Sequence, residues 1–310
     1  PAGRNAEVAV VCGPGGTGAS TVAIALAQGL ADATGPSGVL LADFALRGEL
    51  AMLHDARDVV PSVQELVEAH RSGRPTGEDV RAMTFGISER GYHLLLGLRR
   101  SRSWSSLRPR ALEAAVKSLR QTFRVVVCDI DPLFEGEAET GSLDVEERHA
   151  MSRVATAAAG AVVVVGACGM KGLHSLVSVV ADILDFGVPA GRIVPVFNRA
   201  PRSPRARSEL AQGFAALLPD AAATALPAPI FLPERAVEEA LRDGVRLPVA
   251  LTDPLTGAYR AVIQRSGTSS LVVTGAEPQL VRPGSLGGWA GPDDERSEVG
   301  DTPPDAAAVG

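Results

Sequence analysis

The 310-residue chain is 45% apolar but only 4% aromatic, so one large α/β domain or two small ones must build their core from Ala, Val, Leu and Ile. A formal net charge of −6 argues against a protein whose main work is coating nucleic acid. No run approaches the ~20 apolar residues of a membrane span, and nothing before the first strand reads as a signal peptide, so a cytoplasmic protein is expected.

Strands and helices alternate from the start. EVAVVC (7–12) reads as a strand, and Ser20 to Ala31 as the helix after it. GVLLAD (38–43) follows, then a helix over 62–71, strand YHLLLG (92–97), a helix over 110–121 and strand RVVVCD (124–129). The second half continues with helix 146–159, strand AVVVVG (161–166), helix 173–186, strand RIVPVF (192–197), helix 204–217, strand APIFL (228–232) and helix 234–242. Several strands are apolar at every position, as a parallel sheet covered on both faces requires. Repeated strand–helix–strand units predict an α/β, doubly wound, mostly parallel sheet flanked by helices, with ligands at the carboxyl ends of its strands. From Ser266 the composition turns to Gly, Pro, Ser and acids, so the expected organisation is a domain over 1–265 and a disordered tail over 266–310. Leu286 and Trp289 are apolar residues in that tail, and Trp289 is either a plain tail residue or a short anchor for a partner. Pro1 is either a processed start or a boundary. Cys12, Cys128 and Cys168 lie far apart and read as small core residues in a reducing compartment. The five histidines show no metal-ligand spacing.

Residues 11–21, VCGPGGTGAST, sit between a strand and a helix, the context of a phosphate-binding loop. Gly15, Gly16 and Gly18 let successive amides curl inward around an anion, with Thr17 in the same turn. The helix starting at Ala19 adds unpaired amides and a positive dipole end. Ser20 and Thr21 supply hydroxyls, Ser20 at the position that ligates Mg²⁺. A loop of this kind normally carries a lysine where Ala19 stands. Losing that charged hydrogen bond costs about 1.5–3 kcal/mol, roughly ten- to a hundredfold in affinity. Transition-state stabilisation suffers more, because charge builds on the transferring phosphoryl oxygens. The loop therefore predicts a binder that hydrolyses slowly or not at all.

Over residues 7–265 the chain resembles the MinD/ParA class of P-loop ATPases, whose deviant Walker A pattern is Lys-Gly-Gly-x-Gly-Lys-Ser/Thr. Pro14 takes the place of the first, signature lysine, and Ala19 takes the place of the second. The Gly-Ala-Ser-Thr ending is similar to the CpaE/TadZ branch, which is linked to pilus assembly and to polar or septal positioning. The resemblance implies several roles. Asp43 in LLADFALRGELAMLHD stands at the family's first aspartate, where it would keep residual catalytic character, whereas Ala45 replaces the second. VVVCDID matches Walker B and places Asp129 near Mg²⁺, with Asp131 following in the switch region. VFNRA puts Asn198 against adenine, and IFLPERAVEEALRDGVRLP puts Pro233 and Glu234 in the base pocket. ATP with Mg²⁺ is the implied ligand, a homodimer across the nucleotide face the implied assembly. A pilus, secretion or division machine is the implied partner, so recruitment to a pole, septum or inner membrane would run through that partner. No basic amphipathic helix follows Gln264, so direct membrane insertion is not expected.

Some charged features stay open. Lys171, after AVVVVG, and Arg47 are either solvated or stand in for the lost lysine. The acidic stretch 135–148 is either a solvated loop and helix start or a docking surface, and Glu135 or Glu137 could serve as a substitute metal ligand. LRRSRSWSSLRPR (98–110) and RAPRSPRARSE (199–209) are solvated loops or a DNA-binding surface on which Trp104 stacks a base. Three readings follow: a degenerate nucleotide-holding adaptor, a slow ATPase, and a nonspecific DNA-binding partition protein.

Overall fold

In the computed structural model, which describes residues 6–35, 38–56 and 60–270, each continuous apolar run becomes a strand buried on both faces. On β1 (Glu7–Cys12), Val8, Val10 and Cys12 point into one hydrophobic cluster and Ala9 and Val11 into another. The same alternation recurs on β5 (Val125–Asp129) and β6 (Ala161–Ala167). These strands are rich in valine because neither face meets water.

Among the described residues the sheet has eight strands. Besides those three they are β2 (Val39–Asp43), β3 (Phe85–Ile87), β4 (Tyr92–Leu95), β7 (Ile193–Ala200) and β8 (Ile230–Pro233), in the order β3-β4-β2-β5-β1-β6-β7-β8. Every pairing is parallel except β3 with β4. The helices are α1 (Ala19–Thr34), α2 (Leu50–Leu53), α3 (Val63–Ser72), α4 (Gly77–Ala82), α5 (Pro109–Thr122), α6 (Glu137–Thr140), α7 (Leu143–Arg148), α8 (Ala150–Ala157), α9 (Met170–Asp185), α10 (Pro204–Ala216), α11 (Asp220–Ala225), α12 (Glu238–Arg242) and α13 (Val249–Ser270). Helices α3, α5, α8 and α9 cover one face and α1 and α13 the other. Local chemistry sets their ends: Ser62 and Glu65 form a capping box at the start of α3, and Pro109 occupies the first turn of α5.

The structure departs from the predicted elements in several places: the expected helix over 146–159 is divided at His149 between α7 and α8, and α2, α4, α6, α11 and α13 were not predicted. The expected helix over 234–242 is only the short α12. The expected boundary at 265 falls inside α13, which runs to Ser270 and buries Leu251, Leu255, Tyr259 and Val262. The three-residue β3 forms an antiparallel edge that no periodicity announced. Pro1, Leu286 and Trp289, and the tail from 271 on, lie outside the described residues. No helix among the described residues is long and apolar enough to cross a membrane.

Candidate phosphate-binding site

β1 ends at Cys12 and α1 begins at Ala19, so residues 13–18 turn at the carboxyl edge of the sheet, where β1 and β6 part. Gly16 (φ 81°) and Gly18 (φ 84°) adopt the left-handed conformation, which successive side-chain-bearing residues would not hold. Thr17 pins the turn internally: its hydroxyl and its amide both donate to the Pro14 carbonyl, at 2.7 and 3.2 Å. Among the described residues no acceptor takes the amides of Gly15, Gly16 or Gly18. With the first-turn amides of α1 they make a concave set of unspent donors.

The loop is also tied from outside. Asn198, near the end of β7, donates its amide Nδ2 to the Thr17 carbonyl (2.8 Å). Its Oδ1 accepts the backbone amide of Arg199 (2.9 Å). A Cβ on Gly18 would stand 2.7 Å from Asn198 Nδ2, so the glycine is needed for this approach as well as for its φ. Asn198 was expected to face adenine, and in this structure its amide braces the phosphate loop.

A cavity of about 320 Å³ opens over the loop. From the loop side it is lined by Pro14, Gly15, Gly16, Ala19, Ser20 and Thr21. Ala45, Arg47, Glu49, Asp129, Asp131 and Arg199 line it from the facing loops. Pro14, Ala19 and Ala45 thus all meet in one cavity and line it with apolar groups. Lys171 is exposed at the first turn of α9, and neither it, Asp43, Pro233 nor Glu234 is among the lining residues. Pro233 closes β8 beside Ala200, and Glu234 follows it, exposed. A larger groove of about 750 Å³ beside α3 contains no loop glycine, and the ion pairs Glu65–Arg99 and Glu68–Arg71 lie along it.

The carboxylates around the cavity do different work. Burial raises the carboxyl of Asp129, at the end of β5, well above the usual carboxylate range, the neighbouring Asp43 charge raises it further, and the nearby Ser20 hydroxyl opposes both. Asp43 is fully buried, and desolvation raises it too. Its oxygens accept the amides of Ala45 (3.3 Å) and Leu50 (3.2 Å), so the carboxylate folds the loop after β2 around itself. Asp131 Oδ2 accepts the Leu46 amide (2.7 Å), and the Asp131 carbonyl accepts the Ser152 hydroxyl (2.8 Å). Glu135 and Glu137 are exposed and lie outside the cavity lining. His149, between α7 and α8, approaches the Glu135 carboxylate at 3.3 Å.

The two arginine-rich runs leave the carboxyl edge from β4 and β7, about 24 Å apart at ordinary strand spacing. Trp104 packs against the core, Arg99 pairs with Glu65 and Arg205 with Glu209. Arg199 was read as one member of a basic run, and its place at the cavity was missed. A left-handed arginine leaves no trace in residue type.

No protein-family model matches the chain, and no curated protein matches it in sequence. Solved structures do match in fold. The ParA family ATPase of Chlorobium tepidum superposes with a TM-score of 0.59 at 15% identity, covering 84% of this chain and 98% of its own. The septum site-determining protein MinD of Pyrococcus horikoshii, complexed with Mg-ADP, gives 0.56 at 19% identity, over 86% and 98%. MinD in the MinC:MinD cell division complex of Aquifex aeolicus gives 0.51 at 18%, over 85% and 96%. The fold is therefore that of ParA- and MinD-type P-loop ATPases.

Proposed function

We propose that this chain is a degenerate MinD/ParA-like protein of the CpaE/TadZ type. It holds Mg-ATP without appreciable turnover and serves as a positional or assembly adaptor for a pilus, secretion or division machine. One observation carries the reading: the anion-binding backbone is intact while Pro14, Ala19 and Ala45 line the same cavity without charge. Loss of a nucleotide-binding role altogether would leave no reason to keep two left-handed glycines braced by Asn198. The neighbours fit the reading, since one MinD structure holds Mg-ADP and another is a complex with MinC.

The donor set suits Mg²⁺. Ser20 and Asp129 offer hard oxygen ligands, and no cluster of three or more metal-binding side chains occurs among the described residues. The ion would complete its shell with nucleotide oxygens and water, as Mg²⁺ usually does. Bound there, it would neutralise phosphate charge that no lysine answers. The loop amides orient the phosphates, and the αL turn at Gly18 leads into the first turn of α1. Without a lysine or the second aspartate, nothing in the loop answers charge developing on a transferring phosphoryl group. A second copy facing the nucleotide is the assembly this reading implies.

Calorimetric titration with Mg-ATP beside a phosphate-release assay tests it. Binding without release is expected, lost in Ser20→Ala and Gly18→Val. Release that those two substitutions abolish would make the protein a slow ATPase instead. No nucleotide retained at millimolar concentration would make the cavity a relic.

A further inference from the structure

Arg199 is one of two non-glycine residues with positive φ among the described residues (φ 52°), the other being Asp55. It follows Asn198 where the pairing of β7 with β8 shifts register between Phe197 and Ala200. An arginine held in this conformation costs roughly 1 kcal/mol or more, and such strain persists where surrounding contacts over-determine it. Here the determining contact is visible: the Asn198 side chain takes the Arg199 amide with its oxygen and the Thr17 carbonyl with its nitrogen. One asparagine thus couples the strained residue directly to the phosphate loop. Arg199 lines the cavity, and its guanidinium makes no hydrogen bond or ion pair with any described residue. The same cavity is lined by Arg47, Glu49, Asp129, Asp131 and the apolar Ala19.

We propose that Arg199 supplies, from the end of β7, the cationic contact to the nucleotide's phosphates that Ala19 cannot make from the loop. The inference rests on the reading of the cavity as a nucleotide site and names the residue that answers its charge. A guanidinium suits the task because it stays charged at any working pH and can donate two parallel hydrogen bonds to phosphate oxygens. Arg47 lines both this cavity and a neighbouring one with Arg102 and Arg148, whereas Arg199 is tied through Asn198 to the loop itself.

The test compares Mg-ATP and adenosine binding to the full chain and to Arg199→Ala, Arg199→Lys and Arg199→Gly. Arg199→Ala should weaken Mg-ATP about ten- to a hundredfold and leave adenosine unchanged. Arg199→Lys should keep most of the affinity. Arg199→Gly is the discriminating variant: it should lose Mg-ATP affinity like the alanine while its Tm stays level or rises, because glycine accepts φ 52° without strain. Equal weakening of Mg-ATP and adenosine would show that Arg199 only shapes the loop, and would overturn the inference. So would unchanged Mg-ATP affinity in both the alanine and the glycine variants, with the nucleotide site itself left standing. Failure of the unaltered chain to bind Mg-ATP would remove the site and the inference together.

Discussion

Two loops at the carboxyl edge of the sheet are built in opposite ways. The loop after β1 keeps its amides unspent: Gly15, Gly16 and Gly18 donate to nothing among the described residues. The loop after β2 uses its own, with Ala45 and Leu50 donating to Asp43 and Leu46 to Asp131. Each choice suits its surroundings. Free donors facing a 320 Å³ cavity can hold an anion, whereas a buried carboxylate must be satisfied from within or lose stability. The lesson is that carboxylates at strand ends in this chain serve two purposes. Asp43 organises a loop. Asp129 lines the cavity together with Ser20.

Alanine substitutions in the two loops should therefore separate stability from binding. A Cβ on Gly48 would fall inside the Asp43 carboxylate, which cannot retreat, because Gly97 flanks it and a Cβ there would also come within 2.7 Å. Gly48→Ala should destabilise the fold by about 3 kcal/mol in denaturant unfolding. A Cβ on Gly15 meets nothing within 4 Å, so Gly15→Ala should leave stability within about 0.5 kcal/mol. It should still weaken Mg-ATP binding, because the methyl narrows the mouth of the anion nest. Equal loss of stability in both variants would erase the contrast.

Restoring the charge sharpens the comparison from the other side. Ala19 lines the cavity at the first position of α1, so Ala19→Lys places an ammonium group where free amides already point. Mg-ATP affinity should rise about ten- to a hundredfold. Phosphate release should not follow, since Ala45 still lacks a carboxylate. Measurable turnover in the single variant would mean that another group positions the attacking water.

Much of this arrangement could be read from residue order, and the exceptions are instructive. The both-faces-buried strands announced themselves as valine runs, and the glycine loop announced its own turn. Helix α13 was readable too: Leu251, Leu255, Tyr259 and Val262 fall on one helical face, but Pro254 and Gly257 within it mask the pattern. Asp43 illustrates a different gap. Its residue type and position match a catalytic aspartate, yet its role depends on a loop closing over it and on burial that no local pattern states. Arg199 goes further still. Its conformation comes from a register shift between β7 and β8 and from an asparagine contact spanning 181 residues.

The acids of the two loops also predict a pH dependence. Folding raises Asp43 from 3.8 to about 7 and Asp129 from 3.8 to about 8. Between the unfolded and folded values the native state holds protons that the unfolded chain has released, so stability falls as pH rises. Their contribution is full below the unfolded value, declines as pH rises toward about 8, and is flat beyond. Thermal unfolding of the nucleotide-free protein from about pH 5 to pH 9 should show the decline, and Asp129→Asn should flatten it. A melting temperature that climbs across this range would contradict the assignment of both carboxyls as groups whose burial outweighs their hydrogen bonds. Mg-ATP binding near neutral pH should release protons from Asp129, visible as a binding enthalpy that varies with the buffer's ionisation enthalpy.

The smallest effect is expected at Lys171, and its smallness is informative. The residue stands in the first turn of α9, after β6, the neighbour of β1, at the carboxyl edge of the sheet. Its side chain is exposed and, unlike the also exposed Arg199, outside the cavity lining, so an ion pair it made would be screened by water and salt. Lys171→Ala should leave Mg-ATP affinity within about twofold, as expected for a solvated charge worth a few tenths of a kcal/mol. A tenfold loss would instead require the loop after β6 to close over the nucleotide. The cation would then come from the neighbouring strand, and the free amides of the β1 loop would form only half of the phosphate site.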